Sequence, residues 1–154
     1  MQPRLTYHQL SPEGVSKIRD LERYIATTSI EPSLRELVKL RSSQINGCAF
    51  CIDMHTKDAR AHGETEQRLY GLTAWHETPF YTDRERAALA WTESITLISD
   101  NDVPDELYDH VREHFSEQEI VDLTLAIIAI NAWNRLAISF RTVPGSYERR
   151  APAK

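Results

Sequence analysis

The 154-residue sequence has little cysteine, with two residues, and little glycine, with five. Together with only seven prolines, this is too few turn formers for a loop-rich β architecture. Positive charge is in deficit. Lys and Arg number 18 against 23 Asp and Glu, for a formal charge of −5 and a pI near 5.7. The basic residues are scattered among acids and form no stripe, which argues against a nucleic-acid partner; the Arg149-Arg150 pair reads as a solvated tail. Long apolar runs are missing too. The longest, Leu125 to Ile130, is too short to cross a bilayer, and the N-terminus has no apolar signal core. A cytoplasmic protein with no membrane partner is therefore expected. No repeat, low-complexity segment or composition shift divides the chain, so residues 1–154 are read as one domain.

What is present is helical. Apolar content of 41% and charged content of 27% suit a packed globular chain. Ser11-Pro12-Glu13 offers a helix start, followed by Ile18, Leu21 and Ile25 at helical spacing. Pro32 opens a second helix that Asn46-Gly47 ends. A third runs from about Cys48 to Gly63 and a fourth from Glu64 to Trp75. Capping boxes at Thr82–Glu85 and Ser116–Glu119 open the fifth and seventh, and Pro104 opens a short sixth. The seventh, reaching about Ser139, is apolar on nearly every side, as a central or subunit-buried helix is. The fold expected is all-α, with about seven helices and no sheet.

Both cysteines lie in the run Cys48-Ala49-Phe50-Cys51-Ile52-Asp53-Met54-His55. On a helix, Cys48, Cys51 and His55 share one face. In a reducing compartment such a pair reads as catalytic or metal-binding. As a redox pair, Cys51 has His55 one turn away to accept its proton, and an oxidised sulfur on one cysteine is captured by the other. Thioredoxin-like logic instead favours Cys48 as nucleophile, because it lies nearer the helix start. The position of His55 favours Cys51. Glu36, on the preceding helix, is a candidate to orient His55, directly or through a water. As a metal site, Cys48, Cys51 and His55 supply three zinc ligands and His62 a fourth, though three ligands along one straight helix fit a tetrahedron poorly.

The spacing Glu36, eleven residues, Cys48, two residues, Cys51, three residues, His55 resembles the signature of alkylhydroperoxidase D-like (AhpD-like) proteins of the carboxymuconolactone decarboxylase superfamily. The helical pattern extends the likeness over about residues 30–100. The resemblance implies an orthogonal helical bundle, assembly into homotrimers or homohexamers, and an antioxidant peroxidase. Its substrates would be hydrogen peroxide or organic hydroperoxides, its electron source a dithiol donor, with no bound cofactor or metal. In that scheme Cys51 is peroxidatic, Cys48 resolving, and His55 and Glu36 form the relay. Founding members carry histidine where this chain has Phe50, so one polar contact is missing. Rival functions are a zinc-stabilised or structural oligomer, a disulfide reductase, and the decarboxylase or isomerase chemistry of other superfamily members, for which two adjacent thiols are not needed.

Other residues take ordinary roles. Lys39 is read as an i+3 partner of Glu36, and His62 and His76 as surface or capping residues. His110 and His114 form an i, i+4 pair with no accompanying carboxylate or thiol. Trp75, Trp91, Trp133, Phe80 and Tyr81 are core or interface residues, with access-channel lining as the lesser reading. Asn131, Asn134 and Arg135 stand on an otherwise apolar helix and need partners, so an inter-helix or intersubunit network is expected.

Overall fold

The computed structural model describes residues 2–149; Arg150 of the basic pair lies outside them. The fold is all-α: eight α-helices and one 3-10 helix, with no strand, among the described residues. The helices are α1 (Tyr7–Leu10), α2 (Pro12–Ala26), α3 (Pro32–Asn46), α4 (Ala49–Ala61), α5 (Glu66–Gly71), α6 (Asp83–Thr96), α7 (Asp105–Arg112) and α8 (Glu117–Phe140). The expected fourth helix splits. After α5 the chain tightens into a 3-10 helix, Leu72–Glu77, with a non-helical Ala74 inside. The single turn α1 carries no apolar periodicity to announce it and has no buried residue.

The expected starts and stops rest on specific bonds. Both capping boxes form, at Thr82/Glu85 and Ser116/Glu119, satisfying backbone N–H groups that the first turn leaves free. Pro32 stands at the start of α3, where its missing N–H costs nothing. At the other end Gly47 adopts φ 69°, and Cys48 N–H donates to Ser43 O at 2.9 Å, which closes a Schellman-type cap. The chain reverses there within one residue, and α4 runs back along α3.

Helices α3 and α8 form the centre. Helix α3 packs against α4, α6 and α8, and α8 against α2, α3, α4, α6 and α7. One side of α3 presents Leu34 and Val38 to Ala87, Trp91, Leu123 and Ile127; another presents Leu37 and Leu40 to Ala59, Leu72, Trp75 and Tyr81. Trp75, Trp91 and Tyr81 are thus core residues, and Phe80 packs half-buried against the second cluster.

By length and mean hydropathy, 1.4 over its most apolar stretch, α8 meets the requirement for a membrane span. The short strictly apolar run in the sequence did not suggest this. Here that apolar surface packs against five other helices. It is not covered all round, however. Val121 and Ile128 are about half exposed, and Ile98, in the turn just after α6, is also exposed.

The Gly47 turn is open to a direct test. A Cβ at Gly47 would meet nothing within 4 Å, so replacement costs conformation alone. Gly47→Ala should destabilise the fold by about 1–2 kcal/mol and Gly47→Asn by less. Chemical denaturation measures both; equal stability of Gly47→Ala and wild type would refute the strained-turn account.

Candidate active site

The reversal at Gly47 sets α3 beside α4 and brings residues distant in sequence together. His55 Nδ1 lies 2.8 Å from Glu36 Oε2. Both side chains are largely buried, 5% and 13% exposed. The contact is direct, with no intervening water. Burial raises the Glu36 pKa, but the hydrogen bond from His55 and the charges of His55 and Lys39 outweigh it, and the carboxyl is held below its ordinary value. An ionised Glu36 favours the ring form that carries its proton on Nδ1, and whenever the ring is neutral that tautomer has Nε2 as its lone-pair acceptor. That Nε2 is buried and has no hydrogen-bond partner among the described residues.

Cys48 and Cys51 are both 1% exposed and are joined as a disulfide, their Cα atoms 5.3 Å apart. Cys48 is the N-cap of α4, and its sulfur accepts from Cys51 N–H at 3.4 Å. Cys51 and His55, one turn apart, line a cavity of about 340 Å³ together with Glu36. Its apolar wall is Tyr7, Phe50, Met54, Trp133 and Ala137; its polar residues are Glu22, Lys39 and Asp58. Cys48 does not line it. Of the aromatic residues considered from sequence, Trp133 is the one at the cavity. Phe50, half-buried, packs against the cysteines.

The site is backed by a polar knot. Asn46 Nδ2 donates to Asn134 Oδ1 at 2.8 Å and to Asn131 Oδ1 at 3.0 Å. Asn134 Nδ2 donates to Ser43 Oγ at 3.1 Å, and Asn131 Nδ2 to Thr96 Oγ1 at 3.2 Å. Arg135 donates to Asn131 Oδ1 at 2.9 Å. The network expected around Asn131, Asn134 and Arg135 is therefore inter-helix, joining α3, α6 and α8 within one chain. A fully buried Asn134 is affordable only because both ends of its amide are partnered.

Several sequence readings need correction. Lys39 does not pair with Glu36; its Nζ bonds Glu22 Oε2 at 2.5 Å on α2. The proposed zinc set is not assembled: both sulfurs are in the disulfide, and exposed His62, the C-cap of α4, turns Nδ1 to Asp58 O at 2.9 Å. A different triad, Glu36, His55 and Asp58, has ligand atoms within 4.8 Å of one another. Its Asp58 already accepts from Tyr147 Oη at 2.9 and 3.1 Å, and its Glu36 from His55. The pair His110 and His114 does have a carboxylate beside it, with Glu113 Oε2 3.5 Å from His110 Nδ1; all three are exposed or half-buried. His76 is exposed and stacks on Trp75.

Sequence reasoning missed Glu22, Asn46, Asp58 and Tyr147. Asn46 was legible only as a helix terminator. Glu22 and Tyr147 reach the site from distant segments, and nothing local marks them. Tyr147, pushed up to about 12 by burial and by its bond to Asp58, ties the C-terminal segment to α4, where Arg149 also approaches Asp58 at 3.6 Å.

The fold and site define a class: an all-helical protein holding a Cys-x-x-Cys pair, a histidine and a glutamate on two antiparallel helices. The model of the carboxymuconolactone decarboxylase family matches residues 12–94, and the chain belongs to that family, as an AhpD-like member. It is 55% identical over 139 residues to the uncharacterized protein YdfG of Bacillus subtilis, covering 90% of this chain and 95% of that one. Among solved structures, a protein of unknown function from Agrobacterium tumefaciens, for which an antioxidant-defence role as AhpD has only been suggested, is 42% identical. It superposes with a TM-score of 0.91 over 95% of this chain and all of that one. The debrominase Bmp8 is 20% identical with a TM-score of 0.79, covering 90% of this chain and 74% of its own; that likeness shows the fold alone.

The buried pair predicts a pH dependence. The Glu36 pKa is depressed in the folded state, so its ionisation contributes stability present above the unfolded value and lost as pH falls through the lowered folded one. Glu36→Gln should therefore lower stability at neutral pH and flatten the acid limb of the stability profile. Denaturant unfolding across the acid range checks this; parallel profiles for variant and wild type would contradict it.

Proposed function

We propose that the chain is a thiol-dependent peroxidase acting on hydrogen peroxide or organic hydroperoxides, with an antioxidant role. The observation that carries this reading is the His55 arrangement. Glu36 fixes the Nδ1 side at 2.8 Å, and the free Nε2 belongs to a residue lining the same cavity as Cys51. A base held in one tautomer by a carboxylate is what a thiol nucleophile requires.

The steps follow. Cys51 gives its proton to His55 Nε2, and the thiolate attacks the outer peroxide oxygen. The O–O bond breaks, Cys51 becomes a sulfenic acid, and the leaving alkoxide or hydroxide takes the proton back from His55. The Cys48 thiolate then attacks the Cys51 sulfur, the S–S bond forms, and hydroxide departs as water after protonation. Two thiols have supplied two electrons. The 5.3 Å Cα separation suits this bond without moving the backbone. A dithiol donor restores both thiols, and no cofactor is needed because sulfur carries the electrons. The apolar wall of Phe50, Met54 and Trp133 favours a hydroperoxide with an organic group.

A second reading draws on the N-cap. The Cys48 sulfur accepts a backbone N–H at the start of α4, a setting that stabilises a thiolate. It supports a disulfide reductase with Cys48 as nucleophile and little peroxidase activity.

Stopped-flow oxidation of the reduced protein by hydrogen peroxide and by cumene hydroperoxide separates the two. Cys48→Ser should accumulate sulfenic acid on Cys51, and Cys51→Ser should react with neither oxidant. His55→Ala should slow oxidation by about a hundredfold, the scale of one general base. Sulfenic acid on Cys48 in Cys51→Ser, or indifference of wild type to both peroxides, would favour the reductase.

The family resemblance and the exposed apolar residues Val121, Ile128 and Ile98 support a single-domain homotrimer or homohexamer, and a dithiol that must be kept reduced fits a cytoplasmic setting. Light scattering should return three or six times the mass of the 17.7 kDa chain; a monomer at micromolar concentration would rule this assembly out.

A further inference from the structure

The two cysteines of the disulfide, both buried, line different cavities. Cys51 lines the cavity of His55 and Glu36. Cys48 lines a second cavity, of about 260 Å³, bounded by Gly47, Ala49, Ile138, Arg141 and Thr142. Phe50 and Ala137 border both and form the partition between them.

The charges differ as well. The first cavity holds Glu22, Glu36 and Asp58 against the single cation Lys39, which already bonds Glu22. Arg141 is the one charged residue of the second. It is exposed and makes no ion pair among the described residues. It is also the sole non-glycine residue there with positive φ, at φ 55° and ψ 53°. Glycine is the usual occupant of such a helix end, and a side chain kept at positive φ is uncommon and worth a functional question.

A disulfide is reduced when a thiolate attacks one sulfur and expels the other, so the donor must reach the attacked sulfur from the side away from the leaving one. We propose that the second cavity is the docking site of the electron donor, and that the donor is a small thiol carrying an anionic group that attacks Cys48. This rests on reading Cys48 and Cys51 as a redox pair. The donor thiolate forms a bond to Cys48 Sγ; the Cys48–Cys51 bond breaks, and its electron pair goes to Cys51 Sγ, which emerges beside His55. A second thiol of the donor, or a second donor molecule, attacks the donor sulfur of the mixed disulfide. Cys48 leaves as thiolate and the donor departs as its own disulfide. Two donor thiols lose two electrons, and their protons reappear on the two protein thiols. The oxidant and the reductant thereby use opposite sides of one bond and do not compete for space. The acidic first cavity repels an anionic thiol that the second attracts.

The test starts from the oxidised protein and uses no peroxide, so its result does not depend on what oxidises the pair. The full chain is mixed with 3-mercaptopropionate or with neutral 2-mercaptoethanol, and reduction is followed by the fluorescence of Trp133, which packs against the cysteines. Acid quench, alkylation and fragment mass spectrometry then locate the adduct. The adduct should sit on Cys48 with Cys51 alkylated. Per thiolate, the anionic donor should react about threefold faster, the size of one exposed ion pair. Arg141→Gln should abolish that preference and leave 2-mercaptoethanol unchanged. Ile138→Trp, at a half-exposed wall position, should slow both thiols. An adduct on Cys51, or an anionic preference absent or indifferent to Arg141→Gln, would overturn the proposal. Failure of the peroxidase reading alone would appear separately, as peroxide indifference with donor selectivity intact.

Discussion

The hydrogen bonds of Asn46 to Asn131 and Asn134 are the contact on which the rest of the site depends. They fasten the last turn of α3 to the middle of α8, at the point where the chain is about to reverse. Gly47 then turns it, Cys48 caps α4, and about two turns on His55 meets Glu36 of α3. If α3 slid along α8, the Gly47 turn and every side chain after it would move with it. The knot resists this because its members are buried and mutually satisfied: an unpartnered amide there would cost about 1–3 kcal/mol for each group left unmet. Apolar packing alone between α3 and α8 would tolerate small shifts. A polar knot has one arrangement in which all bonds close.

This division of labour explains what could be read in the sequence. Helix existence was legible because each start and stop has a local cause: Pro32, the Thr82 and Ser116 boxes, Gly47. The Cys48, Cys51 and His55 face was legible from helical spacing, and Glu36 from the family spacing. The split of the region after Glu64 was not, because Leu69, Leu72 and Trp75 are spaced almost equally well for α and 3-10 geometry. Lys39 was assigned to Glu36 because only its own helix was in view. Its partner Glu22 comes from α2, and no local rule brings those two helices together. Tyr147 and Asp58 meet across 89 residues for the same reason. Asn46 shows a different failure. One residue serves both as a helix terminator and as the centre of a buried network, and the first role hid the second.

The two ionisable partners at the centre illustrate how a buried site is held in readiness. Taking Glu36 out of water raises its pKa, and only the bond to His55 and nearby positive charge bring it back down. The carboxylate is therefore committed to one task, gripping Nδ1. The opposite nitrogen is left buried without a partner, which costs stability and is what a reactive position looks like when the surrounding structure enforces it. Phe50, where founding family members carry histidine, adds to this economy. It supplies no proton acceptor, and it stands between the cavities on either side of the disulfide.

The cavity beside Cys51 is bounded unevenly. One side is formed by α3 and α4, which carry fully buried side chains. Another side is Tyr7, on a single turn with no buried residue, held by its ring against Phe140 and by the bond from Arg4 N–H to Phe140 O at 2.9 Å. An isolated turn of four residues is not stable by itself, and such segments open at small fractions of the free energy that unfolds a core. The helical side therefore has the stiffness of the whole bundle, while the side at Tyr7 has the stiffness of one tyrosine. A guest too large for about 340 Å³ meets a soft limit rather than a hard one.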